Sequence, residues 1–160
     1  MRLIAIFLAA IALHGCSQEP AEEPPVDIEQ MNKDALGPAV PITLDPITFA
    51  MIEKFDLFGA GCNFRPEGWS DLALIADGER ATVIIEGKAV QAAPDAGSKE
   101  LPYASRSKYD GLTNSFELQV DLAREEVAGY EVVEYPGSLI IRDDRDRVVF
   151  DEAGTYECGA

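Results

Sequence analysis

Histidine is nearly absent from this chain: there is one, His14, among 160 residues. It comes after a basic start, Met1-Arg2, and an apolar run from Leu3 to Leu13 that reads as a secretion signal, its core too short to span a bilayer comfortably. Cleavage of that leader before Cys16 would remove the imidazole with it. A chain without imidazole has no Ser-His-Asp or Cys-His nucleophile system and no histidine-containing zinc site. Basic side chains are scarce as well. Thirteen lysines and arginines stand against 29 aspartates and glutamates, a net charge of −16, and loss of Arg2 makes it one unit more negative. Such a surface repels nucleic-acid phosphates, so no nucleic acid is expected as a partner. It also disfavours peripheral binding to anionic lipid and steers a cationic protein toward itself.

The residues at the end of the leader give it a destination. Leu13-His14-Gly15-Cys16 resembles the bacterial lipobox, with His14 departing from the usual residue before Gly15. The resemblance implies that the Cys16 thiol receives a diacylglycerol and becomes the first residue of the mature protein. Two or three acyl chains anchor a protein stably where one does not, so the expected membrane contact runs through Cys16. Ser17 stands after the cysteine, as in lipoproteins sorted to the outer membrane, and the expected location is that membrane, facing the periplasm. The other two cysteines, Cys62 and Cys158, form an even pair in an oxidising compartment. A bond between them would clamp the first strand of the domain to the last, and closing a loop of about 100 residues stabilises by roughly 4.7 kcal/mol in the chain-entropy account. The alternative is two free buried thiols. With no histidine or third thiol to complete a shell, a metal pair is the weakest option, and no cofactor is expected.

The chain divides into a leader (1–15), an acidic proline-rich tether (16–45) and a β domain (46–160). From Ser17 to Pro25 the tether combines proline, negative charge and no aromatic side chain, a composition that cannot bury enough surface to order itself. Asp45-Pro46 suits a helix start, and Ile47, Met51 and Phe55 repeat at four-residue spacing, so one short helix is expected over 46–54. Beyond Cys62 the period changes to two. Segments 71–76 and 81–86 flank Asp77-Gly78-Glu79-Arg80 as a hairpin, and Glu86-Gly87 turns the chain into 88–92. A loop runs from Ala93 to Pro102. Phe116, Leu118, Val120 and Leu122 alternate with polar residues in the clearest half-buried strand. Segment 130–134 pairs beside it, 138–142 and 147–150 flank Asp143-Asp144-Arg145-Asp146 as a second hairpin, and 155–158 closes the domain. Short strands at this spacing predict a mainly β fold, a small antiparallel barrel or sandwich of six to eight strands with one short N-terminal helix.

Few constellations carry chemistry. Asp143, Asp144 and Asp146 lack the central glycine and distant glutamate of a calcium loop, and Arg145 and Arg147 would oppose a cation, so they read as a charged turn. No acid pair sits in a recognisable catalytic motif, and no catalytic residue is expected. Ser107 and Lys108 are adjacent on an extended segment and point to opposite faces, which places them poorly for a serine–lysine pair. Arg106-Ser107-Lys108-Tyr109, with Lys99 near in sequence, is a basic island on an acidic protein. It is either a solubilising loop balanced by nearby acids or a recognition loop held by a rigid sheet.

Four segments bear on that choice: Cys62-Asn63-Phe64, Ala81–Lys88, Ala104-Ser105-Arg106-Ser107-Lys108-Tyr109, and Tyr156-Glu157-Cys158. Together they resemble the periplasmic, membrane-bound inhibitors of c-type lysozyme, lipoproteins with a small antiparallel barrel and a first-to-last disulfide. The resemblance covers roughly Cys62 to Cys158. In that family a Ser-Gly-x-x-Tyr loop enters the lysozyme cleft; Ser105 and Tyr109 match it, and Arg106 stands where glycine belongs. The resemblance implies that Ser105, Arg106, Lys108 and Tyr109 form a partner-binding loop, with Ser105, Arg106 and Lys108 projecting from the barrel rim toward a basic protein such as lysozyme. The closing Tyr156-Glu157-Cys158-Gly159 also resembles a proteobacterial lipoprotein family ending in Tyr-x-Cys-Gly, which implies no activity. The expected function is thus a non-enzymatic binding domain on an outer-membrane lipoprotein, acting as a lysozyme inhibitor or as a structural or accessory envelope protein.

Overall fold

A computed structural model describes residues 27–129 and 131–160. The leader and Cys16 lie outside the described residues. Two compact units are present, one ending at Gly37 and one running from Pro38 to Ala160.

In the first unit, helix α1 (Ile28–Leu36) stands within the segment expected to be an unstructured tether. The signals for it are local. Asp27 is an N-cap whose carboxylate accepts from the Gln30 amide at 3.0 Å, and Gly37 ends the helix at φ 68°. The proline-rich composition of the preceding residues does not extend past Pro25, and from Asp27 onward a capped helical pattern is legible.

The second unit is mainly β, an eight-stranded antiparallel barrel with a short helix on its outside. Its strands are β1 (Gly61–Pro66), β2 (Leu74–Ala76), β3 (Ala81–Ile85), β4 (Lys88–Pro94), β5 (Lys108–Asp110), β6 (Asn114–Val120), β7 (Glu126–Val127), β8 (Val132–Asp143) and β9 (Val148–Gly159). Neighbours run β6-β5-β4-β3-β2-β1-β9-β8, and the β6–β8 pairing, from Asn114↔Asp143 to Val120↔Gly137, closes the ring. Strand β7 pairs with β8 beyond the end of β6. Closure leaves few open edges and selects a barrel over a sandwich.

The strands expected at 130–134 and 138–142 are not separate: β8 runs unbroken from Val132 to Asp143, across Pro136-Gly137. Pro136 is tolerated because its carbonyl accepts from the Asp121 amide at 3.0 Å on the side where β8 changes neighbour from β7 to β6. Pro136 stands opposite Asp121, just past the end of β6, so the donor it lacks falls at the end of that ladder. Gly137 and Gly154 face each other across β8 and β9. A Cβ on Gly137 would stand 2.1 Å from Gln119 O and 2.9 Å from the Tyr156 ring, and one on Gly154 would stand 2.2 Å from Arg65 O and 2.8 Å from the Phe64 ring. The missing side chains make room for the Phe64–Tyr156 pair, whose centroids are 4.8 Å apart. Around that pair the interior is filled by Leu74, Val83, Tyr109, Phe116, Leu118, Leu139 and Ile141.

Helix α2 (Phe49–Phe55) explains why β3 is buried on both faces. Met51, Ile52 and Phe55 cover the outward-facing Ile75 and Ile84. The helix begins later than expected: Thr48 is its N-cap, while Ile47 is bridged to Leu72 in extended conformation and 2% exposed. Asp45 caps a different element. Its amide donates to Ile84 O at 2.8 Å and its carboxylate accepts from Gly87 N at 2.7 Å, fixing the β3–β4 turn. The compact unit also starts before residue 46, because Leu44 is buried in the main core and the Ile42 amide donates to Val149 O at 2.9 Å.

Cys62 and Cys158 lie directly opposite each other on β1 and β9, their sulfurs at bonding distance, 2.06 Å. The first and last strands of the barrel are therefore neighbours, as a clamp between them requires.

Candidate partner-binding loop

The basic island sits on the connection between β4 and β5, which folds back on itself. Asp95 opens it with an Asx turn, its carboxylate accepting from Gly97 N at 2.8 Å. A small hairpin comes next, with Leu101 N donating to Ser105 O at 2.9 Å and Ser107 N to Lys99 O at 2.9 Å. Its tip, Tyr103-Ala104, has φ of 55° and 59°, a left-handed pair in which neither residue is glycine. Leu101, 4% exposed, points from this hairpin into the core and closes that end of the barrel.

Ser105 does not project. It is fully buried, and its hydroxyl accepts from Cys62 N at 3.1 Å and donates to Ala76 O at 3.1 Å. Those two backbone groups lie at adjacent strand ends, where the ladder has stopped and water is excluded, so the hydroxyl replaces a missing pair of bonds. Tyr109 is buried too. Its hydroxyl donates to Asp77 O at 2.6 Å and accepts from Arg106 N at 2.8 Å, and burial pushes the phenol above its ordinary pKa. The expectation of a projecting Ser105, with Tyr109 beside it at a contact surface, is corrected: both hold the loop to the barrel wall. Strand parity explains this for Tyr109, because Lys108 and Asp110 on either side point outward.

Arg106 and Lys108 do reach the surface, each with an acid from its own chain. Arg106 Nη2 lies 3.7 Å from Glu100, and Lys108 Nζ lies 3.1 Å from Asp110, whose hydrogen bond and charge raise the lysine pKa. Lys99 is exposed on the same hairpin. The loop thus presents a cationic face interleaved with carboxylates rather than an uncompensated basic patch.

The second charged segment, Asp143–Arg147, is a turn built on one carboxylate. Asp143 accepts from the amides of Arg145 (3.0 Å) and Arg147 (2.9 Å) and from the Arg147 guanidinium at 2.8 and 2.7 Å. These donors, the Arg147 side chain first, hold its pKa at about 2.

Acids converge in one place that sequence reasoning did not single out. Glu126, Glu134 and Glu157 are cross-strand partners in one row over β7, β8 and β9, ending at Asn63 on β1. Directly opposed like charges destabilise a sheet. Arg65 relieves two of them, bonded to Glu157 and 3.6 Å from Glu134. Each glutamate comes from a different segment, so only strand pairing reveals the row. Glu126 and Glu134 line a hollow of about 90 Å³ with Arg124 and Tyr135, far below the roughly 300–1,000 Å³ of small-molecule sites. It has room for a few waters and none for a glycan ring.

No family model, curated protein or solved structure matches this chain.

Proposed function

We propose that this chain is an outer-membrane-anchored periplasmic lipoprotein whose barrel is a non-enzymatic binding module for a basic envelope protein such as lysozyme. The observation that best supports a surface-acting role is the filled barrel. Tyr109, Tyr156, Phe64 and Phe116 are fully buried in the interior with the aliphatic side chains packed around them, whereas barrels that carry small ligands keep that space open. A partner must therefore be met on the outside, where the acidic surface favours a cationic one. Within the resemblance to lysozyme inhibitors, Arg106 and Lys108 are the contacting groups; Ser105 and Tyr109 position them.

The test is a lysozyme activity assay with the mature chain carrying Cys16→Ser, alone and with Arg106→Ala/Lys108→Ala, at low and moderate salt. Inhibition by the first and its loss in the second support the reading. Absence of inhibition at micromolar concentration ends it. A structural or accessory envelope role is the second reading, and the pairing of Arg106 with Glu100 and of Lys108 with Asp110 favours it. Palmitate incorporation that disappears in Cys16→Ser tests the anchor common to both.

A further inference from the structure

Helix α1 has an apolar face that is open to solvent. At helical spacing Ile28, Met31 and Ala35 share one side, and Ile28 is 70% and Met31 59% exposed. Gln30 and Asp34 lie on the other side, joined by a hydrogen bond of 2.8 Å. A nine-residue helix is shorter than the roughly 12–15 residues that sustain a helix alone in water, and most short helices are held by packing an amphipathic face. Capping by Asp27 and Gly37 sets its ends but buries no apolar surface.

The position of α1 in the chain says what can cover that face. Cys16 precedes Ile28 by twelve residues, which span at most about 40 Å when fully extended. If Cys16 is acylated, α1 is confined to the immediate neighbourhood of the bilayer surface, and the tether supplies a high effective concentration for even a weak contact. We propose that α1 lies in the interface of the membrane that holds the Cys16 acyl chains, with Ile28, Met31 and Ala35 turned toward the lipid and Gln30 and Asp34 toward water. The contact is apolar rather than electrostatic, since Asp27, Glu29 and Asp34 outnumber Lys33 and give the helix no net attraction to anionic headgroups. It gives the protein a two-point attachment: acyl chains at Cys16 and a surface helix at 28–36.

The inference rests on the lipoprotein reading, and the experiment separates the two. The full chain is expressed with its leader in a host that lipidates such proteins, then reconstituted into phosphatidylethanolamine–phosphatidylcholine vesicles with dibrominated acyl chains. Trp69→Phe (or Trp69→Tyr, should the first variant fail to fold) removes the native indole, and a probe is introduced by Met31→Trp or, on the opposite face, by Gln30→Trp. The Met31→Trp emission should shift to the blue and fall roughly twofold against unbrominated vesicles, with little change for Gln30→Trp. Adding Ile28→Asp should reverse the quenching. Equal, weak quenching at both positions in a palmitoylated, vesicle-bound protein overturns the surface-helix proposal and leaves the anchor standing. A blue shift without quenching overturns it as well, because the face is then packed on protein. Failure of the parent chain to incorporate palmitate overturns the anchor and the proposal together.

Discussion

Two charged turns of this protein are built in opposite ways. Where it meets the barrel end, the β4–β5 connection is held by uncharged groups: the Ser105 hydroxyl bridges Cys62 and Ala76, the Tyr109 hydroxyl bridges Asp77 and Arg106, and the cations stay outside. The β8–β9 turn is held by a charge, with Asp143 gathering two amides and a guanidinium. The difference comes from water. The first set of bonds is at a closed barrel end, where an ion would lose its hydration, and a hydroxyl can both donate and accept there. The second lies at a hairpin tip, where a carboxylate keeps part of its solvent and forms stronger, charge-assisted bonds. A run of charged residues in the sequence therefore marks neither a metal site nor a docking site until its neighbours are known.

The contrast can be broken at four points, in falling order of effect. Tyr109→Ala removes a fully buried ring and both of its bonds, and should destabilise the barrel by about 3–5 kcal/mol; the urea midpoint reads it. Ser105→Ala leaves Cys62 N and Ala76 O unpaired in the dry end of the barrel, at a cost of about 1–3 kcal/mol, and should speed amide exchange at Cys62. If Ser105→Ala is neutral, the hydroxyl does not clasp the loop to the strand ends.

Asp143→Asn should show itself through pH. The carboxylate pKa is lowered in the folded state to about 2 from its ordinary value of 3.8. Its contribution is therefore complete above about pH 4 and is lost as the pH falls toward 2. Thermal midpoints of the parent chain and Asp143→Asn should differ at pH 5 and converge near pH 2, and a constant difference would contradict the assignment. Arg106→Ala/Lys108→Ala should change stability least, within about 0.5 kcal/mol, because both groups are solvated ion-pair members. Any effect of that double substitution belongs in the binding assay, which is what distinguishes it from Ser105→Ala.

Much of the scaffold is legible in the sequence because its determinants are local. The Asp77–Arg80 turn is set by Asp77, which accepts from the amides of Glu79 and Arg80 as an Asx turn does, and Gly87 supplies one left-handed residue of the next turn at φ 71°, beside Glu86 at φ 51°. The alternation of Phe116, Leu118 and Val120 places these side chains inside along β6. Helix α1 is also encoded locally, by Asp27 and Gly37, yet the proline-rich residues before it give the whole segment the look of a tether. Asp45-Pro46 misleads in the other direction: a good helix start by residue type, it serves the β3–β4 turn because Ile47 is drawn into a bridge with Leu72.

Taken alone, the sequence determined the strand period, the hairpin turns, the acidic surface and Cys62 and Cys158 as the two cysteines the domain has to pair. These depend on residues close in the chain or on simple counting. Only the tertiary structure decided that the sheet closes through β6 and β8, that Pro136-Gly137 lies within a strand, that Glu126, Glu134 and Glu157 share a row, and that Ser105 and Tyr109 face inward. Each of those outcomes depends on which distant strand supplies the neighbour. Gly137 has no local reason to stand in a strand; it has one once Tyr156 packs against it. Ser105 is a plain loop serine until the ends of β1 and β2 arrive with an unpaired amide and an unpaired carbonyl for its hydroxyl to join.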